Sequence, residues 1–239
     1  MNYAHLEKSL PPILLLFLVG FVAVGCEKNE SSFFPLSAKR TWQYNIETKT
    51  ANENSRQKNI IQSKGSISST DNKSFVLQSI SGTVSHYQRN EEALLLAQQL
   101  INGEQREVAG VRATVFRFPL QVGTSWQDFM ITELLQSYDA HAHKVREEIP
   151  VKVLIEDMDD TVTVPAGKFR HCMRIVTRGE KLVQKGKYAY QPKMTISITN
   201  TRWYAKGVGL VKEEHLESSD ILQYPKATYM VSLDKFSQG

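Results

Sequence analysis

Residues 14–25 of the chain read LLLFLVGFVAVG, an unbroken apolar run that stops at Cys26 and gives way to the polar stretch EKNESS. This run constrains the chain more than any other stretch. A helix that spans a bilayer needs about 20 apolar residues, so a run of this length crosses poorly. Placed near the N-terminus behind Lys8, it has the form of the hydrophobic region of a secretory leader. The expected division is a signal peptide over residues 1–25, a tether over 26–32, and an exported body beyond it.

The body is ample for a core, and its composition is that of an ordinary folded domain. Apolar residues make up 41% of the chain and aromatic residues 9%, far from a disordered profile. The chain has 2 cysteines, Cys26 and Cys172. With Cys26 committed to the membrane, no internal disulfide can form, and stability has to come from packing. Cys172 lies in an alternating stretch beside His171, whose side chain points to the other strand face, so a buried thiol is expected rather than a nucleophile. The net charge of +4 is mild, with cations and acids interspersed. Outside the cytosol it suits an anionic membrane surface or glycolipid better than nucleic acid, and no nucleic-acid partner is expected.

The residues just before Cys26 are Ala23, Val24 and Gly25. They resemble the lipobox of bacterial lipoproteins, in which the leader is removed and the cysteine becomes an acylated first residue, palmitate being a common chain. That resemblance implies a lipid-anchored envelope protein. Glu27 rather than aspartate follows the cysteine, which by the same resemblance implies the periplasmic face of the outer membrane in a cell with two membranes.

Further on, Phe34-Pro35-Leu36 is followed five residues later by Trp42-Gln43, and Phe118-Pro119-Leu120 by Trp126-Gln127 at the same spacing. A repeat of FPLxxxxxWQ indicates two related β-rich halves, residues 33–117 and 118–239, expected to share one continuous sheet because no Pro/Gly/Ser-rich linker divides them. Phe75 to Ile80 and Thr83 to Arg89 read as strands around the breaker Ser81-Gly82. Residues 90–101 could start as a helix capped by Asn90, but their position matches residues 204–213 of the second half and Asn102-Gly103 is a hairpin signal, which argues for a strand. In the second half Val151 to Ile155 and Thr161 to Val164 are expected to form a hairpin about an acidic turn at Asp157 to Asp160. Phe169 to Thr177, Lys181 to Tyr190, Met194 to Tyr204, Leu210 to His215 and a strand from Ala227 follow. About eleven or twelve strands exceed what an open twisted sheet carries comfortably. The expected fold is therefore all-β: a large curved antiparallel sheet, either a half-barrel of lipocalin-like form or a sandwich.

VPAGKFRHCMRI, residues 164–175, and TRWYAKGVGLVKEE, residues 201–214, together with the two FPLxxxxxW segments, resemble a family of uncharacterised bacterial lipoproteins and periplasmic proteins. The resemblance covers most of the mature chain. It implies a β-rich half-barrel or lipocalin-like body and supplies no catalytic residues.

No motif for catalysis, a nucleotide or a cofactor is present, so no enzyme activity and no cofactor are expected. Asp139, His141 and His143 alternate and would share one strand face, a geometry open to zinc or copper, but no further ligand is placed by the sequence and an exposed polar segment is the plainer reading. Asp157, Asp159 and Asp160 lack the glycine and glutamate of a calcium loop. Trp42, Trp126, Trp203 and Tyr204 are the candidates to line a cavity for an apolar ligand, the rival role being core packing. The function expected is a non-catalytic, lipid-anchored envelope protein that binds a hydrophobic or amphipathic ligand in its curved sheet. The alternative is a structural or assembly factor acting on another envelope protein.

Overall fold

The computed structural model describes residues 33–68, 73–101, 104–106, 113–137, 145–184 and 193–238. The leader and tether over residues 1–32, Asp139, His141 and His143, the Asn102-Gly103 turn and the end of the expected Lys181 to Tyr190 strand lie outside them. Among the described residues the strands are β1 (Thr41–Lys49), β2 (Asn54–Ser68), β3 (Lys73–Ser79), β4 (Val84–Arg89), β5 (Ala93–Ile101), β6 (Glu104–Arg106), β7 (Ala113–Arg117), β8 (Ser125–Ile131), β9 (Glu148–Val164), β10 (Gly167–Gln184), β11 (Lys193–Ala205), β12 (Gly209–Ser219) and β13 (Ala227–Ser237). The fold is all-β.

All thirteen belong to one antiparallel sheet in the order β6-β5-β4-β3-β2-β1-β13-β12-β11-β10-β9-β8, with β7 paired to β5. Each half is thus a meander, and the two are joined where β1 pairs with β13, from Thr41 opposite Ser237 to Lys49 opposite Thr228. The sheet curls until its outer strands meet: the Thr114 N–H on β7 donates to the Asp128 carboxylate on β8 at 3.2 Å. The result is a nearly closed barrel, the outcome expected when so many strands accumulate right-handed twist.

The sequence pattern accounts for the curvature. Along β1 the buried residues are Trp42, Tyr44 and Ile46, alternating with polar neighbours, and along β11 Met194, Ile196, Ile198 and Asn200 alternate with hydroxyl residues. A period of two places one apolar row on the enclosed face and leaves the other to solvent. The repeat has a structural counterpart: Trp42 and Trp126 are each the second residue of the first strand of their half. Residues 93–101 are β5, as the comparison with the second half argued.

Two expectations are corrected. Asp157 to Asp160 do not form a turn, because β9 runs unbroken through them, and β10 likewise joins two expected strands into one. Register shifts between Phe169 and Cys172, Cys172 and Arg174, and Arg174 and Ile175 bend the β9–β10 pair without ending it. The acids remain in a strand because Arg174 serves them: its guanidinium lies 3.7 Å from Glu156, 3.8 Å from Asp157 and 2.9 Å from Asp160. The longer hairpin reaches back over the sheet, where the Ala166 N–H donates to the Leu233 carbonyl of β13 at 3.0 Å. Val162, Val164 and Cys172 pack there in an apolar cluster with Val211, Val231 and Leu233.

The larger core contains Ile155, Met173, Ile175, Ile196, Ile198 and Phe116, all at most 1% exposed. Each such side chain contributes about 1.5–3 kcal/mol by burial. One end of the barrel is filled by residues 132–137, of which Thr132, Leu135 and Ser137 are fully buried. The end at which the described chain begins is covered by residues 33–36, with Phe33 and Leu36 in the core.

Candidate functional site

Residues 33–36 lie across the barrel end as a lid. The Phe34 ring lies tilted against Tyr87 with centroids 5.1 Å apart and meets Phe116 edge-on at 5.8 Å. The Ser63 hydroxyl donates to the Leu36 carbonyl at 2.9 Å, and the Trp42 indole N–H donates to the Val208 carbonyl at 2.6 Å. Gly209 sits below Pro35 with φ of +98°, a conformation that side chains resist, and a Cβ there would stand 3.4 Å from Pro35 Cδ.

Between this lid and the sheet is a cleft of about 110 Å³. Phe34, Pro35 and Leu36 form one wall, Trp42 and Tyr44 of β1 a second, and Ile61, Leu77, Tyr87, Gly209 and Leu210 the remainder. The lining is almost wholly apolar. Pockets for drug-sized ligands run to about 300–1,000 Å³, and an apolar cavity of roughly 150 Å³ holds a benzene-sized guest. The cleft accordingly suits the end of one hydrocarbon chain.

Polar side chains stand near its tyrosines. Tyr44 donates its hydroxyl to the Leu210 carbonyl at 3.0 Å. Tyr204 packs edge-on against Phe116 at 4.9 Å and shares a hydrogen bond with Arg202. Arg202 stands directly opposite Glu213 in the register of β11 and β12, and the Asn200 amide donates to the Glu213 carboxylate at 2.7 Å. Burial, then the charges of Tyr204 and Tyr87, pushes the Tyr44 hydroxyl well above the usual phenol range. Burial pushes Tyr87 up to about 12. Burial alone would lower Arg202, but Tyr204 and Glu213 beside it leave it raised and cationic. The raised phenols of Tyr44 and Tyr87 stay protonated at neutral pH, so both remain hydrogen-bond donors.

A second polar site holds the opposite end. Glu217, 1% exposed, accepts the backbone N–H groups of Glu133 at 3.0 Å, Leu134 at 3.0 Å and Leu135 at 2.9 Å, and lies 3.0 Å from His215 Nε2. Burial would raise its carboxyl, but the His215 bond and these N–H groups outweigh that and hold it below the usual carboxylate range.

Of the aromatic candidates, Trp42 lines the cleft, and Tyr204 lies near the cleft's Tyr44 and Tyr87 without lining it. Trp126 is buried in the main core. Trp203 occupies the opposite strand parity from Arg202 and Tyr204, donating to Asp160 at 2.9 Å with the Lys212 ammonium 5.1 Å from its ring centre. The four do not form one site. Among the described residues no group of three or more His, Cys, Asp or Glu side chains is arranged to hold a metal. The sequence reading missed Arg202, Glu213, His215 and Glu217, although each follows the enclosed parity of its strand.

The profile of the DUF3108-like family matches residues 41–225. Two solved structures align with 86% of this chain. One is a candidate lipoprotein of Parabacteroides distasonis, 15% identical, with 98% of its chain covered and a TM-score of 0.38. The other is a candidate exported protein of Bacteroides fragilis with a YmcC-like fold, 12% identical, with 99% of its chain covered and a TM-score of 0.38. No curated protein gives a significant match.

Proposed function

This chain belongs to the DUF3108-like family, and from that premise we propose that it is a non-catalytic envelope protein, anchored by an acylated Cys26, that takes the apolar end of an amphipathic ligand into the cleft beneath residues 33–36. The supporting observation is the cleft itself, an apolar space of about 110 Å³ at the barrel end where the tether joins the body. Its size fits a chain terminus, and the hydroxyls and Arg202 beyond it suit a polar group on the same ligand. In a cell with two membranes the protein sits on the periplasmic face of the outer membrane; in a cell with one, on the outer face of the plasma membrane.

Native mass spectrometry of protein extracted gently from membranes tests this. A retained amphiphile that disappears in Leu77→Trp, which fills the cleft, supports it. A wild-type protein that keeps its fold and never retains or exchanges a lipid overturns it.

The alternative role, a structural or assembly factor, has its own support. In the described pairings β8 has a single strand partner, β9, and Phe129 on it is 51% exposed. A strand edge with an exposed ring can recruit another chain by pairing. A discrete protein adduct from a photocrosslinker at position 129 in intact cells would favour that reading over the ligand.

A further inference from the structure

We propose that the barrel end bearing the tether docks on the anionic phospholipid headgroups of the leaflet that anchors the chain, through a collar of cations around Phe33. The inference rests on the Cys26 anchor proposed above.

Three segments meet at that end. The Lys39 N–H donates to the Ser63 carbonyl at 3.1 Å and the Ser63 N–H to the Arg40 carbonyl at 2.9 Å, which brings residues 37–40 beside residues 62–66. The Arg40 guanidinium donates to the Gly207 carbonyl at 2.7 Å, fixing the β11–β12 turn to the same place. Lys206 on that turn places its ammonium 5.6 Å from the centre of the Phe33 ring, at the point where the tether leaves the body. Segments 37–40, 62–66 and 205–208 contain Lys39, Arg40, Lys64 and Lys206 and no acidic residue. Lys39, Lys64 and Lys206 are exposed. The start of β10, beside the turn latched to β13 through Ala166, adds exposed Lys168 and Arg170.

The acids nearest this collar are engaged elsewhere. His171 contacts Asp159, Arg174 holds Asp157 and Asp160, and Asp234 is bound by Lys58 and Gln43. Glu91 and Glu92, in the β4–β5 turn, and Asp159, which stays exposed beside His171, are the exceptions, three acids against six cations. The charge left around the tether is therefore positive, and a tether of residues 27–32 extends to roughly 20 Å, which confines the collar near the lipid surface. An anionic leaflet attracts each nearby Lys or Arg by an amount worth roughly five-fold in binding, so three exposed cations bias the docked orientation roughly 100-fold. A single acyl chain assisted by a cationic patch is a known logic for stable attachment. Docked this way, the lid of the cleft faces the leaflet, so a hydrocarbon chain can pass between membrane and barrel without crossing water.

The test uses the full acylated protein reconstituted in vesicles. An environment-sensitive label is placed through Ser66→Cys at the collar end or Glu53→Cys in the β1–β2 turn at the opposite end, and the lipids carry a headgroup quencher. In phosphatidylcholine vesicles containing phosphatidylglycerol, the label at 66 is quenched and that at 53 is not. The contrast vanishes in phosphatidylcholine alone, at high salt, and when Lys39→Glu, Lys64→Glu and Lys206→Glu are combined. Equal quenching at the two positions, or quenching at 66 that survives the charge reversals, overturns the docking. A failure of the anchor is separately visible as an N-terminal peptide whose Cys26 carries no fatty chain.

Discussion

Trp42 and Trp126 occupy the same place in the two halves, yet the Trp42 indole donates to the Val208 carbonyl at 2.6 Å while the buried Trp126 Nε1 has no partner among the described residues. The two segments place an indole at matching positions and differ in whether its N–H finds an acceptor. Trp42→Phe removes a bond and strands a carbonyl, at a cost of about 1–3 kcal/mol beyond lost packing. Trp126→Phe relieves a buried unpaired donor and is the milder change. Urea unfolding of the two variants checks the ranking, and equal losses would refute it.

Glu217 ties residues 132–137 into the barrel, so Glu217→Ala should cost about 3–5 kcal/mol, since it leaves three N–H groups and His215 without their acceptor. Its folded pKa is depressed, so its contribution is present above the ordinary carboxylate pKa of about 4.3 and fades as pH falls through the lower folded value. Glu217→Gln should therefore shallow the acid limb of a stability-against-pH curve. An unchanged limb would remove the carboxylate from that role.

Gly179 is fixed by a close approach between strands rather than by a turn. A Cβ there would overlap the Pro150 carbonyl oxygen and Val151 Cγ1 of β9. Gly179→Ala should destabilise the protein by about 1–3 kcal/mol by forcing β9 and β10 apart, detectable as a lower Tm. Wild-type stability would mean the pair can shift at little cost.

Cys172 is fully buried, and burial, aided by the Asp160 charge, pushes its thiol up to about 11. A thiol reagent at pH 8 should leave the native protein untouched and react once per chain after denaturation, if Cys26 is acylated. Two reactive thiols in the denatured chain would refute the anchor, and one in the native chain would refute the burial.

The legible parts of this fold were those written at short range. The twin FPLxxxxxWQ segments and the alternation in Ala227 to Leu233 pointed to strands with a tryptophan at the same position and to an enclosed row, and the structure has both. What escaped depends on partners far along the chain. The acids from Asp157 to Asp160 look like a turn until Arg174 is opposite them, and bulges that bend β9 and β10 leave no local signature. Trp203 differs from Tyr204 by one strand position, which sends the indole to Asp160 and the phenol to the interior. Arg202 and Glu217 read as surface charges in isolation. Their parity relative to Met194, Ile196 and Val211 was the available clue.

Because β1 is zipped to β13, the first of the described strands in chain order has to wait for the last of them. A chain delivered from its N-terminus can form the local meanders early, but the seam between them closes only after residue 237 has arrived, a loop closure that spans nearly all of the described residues. Until then Trp42, Tyr44 and Ile46 lack their β13 neighbours, so completion of the shell is itself a checkpoint that a truncated chain fails.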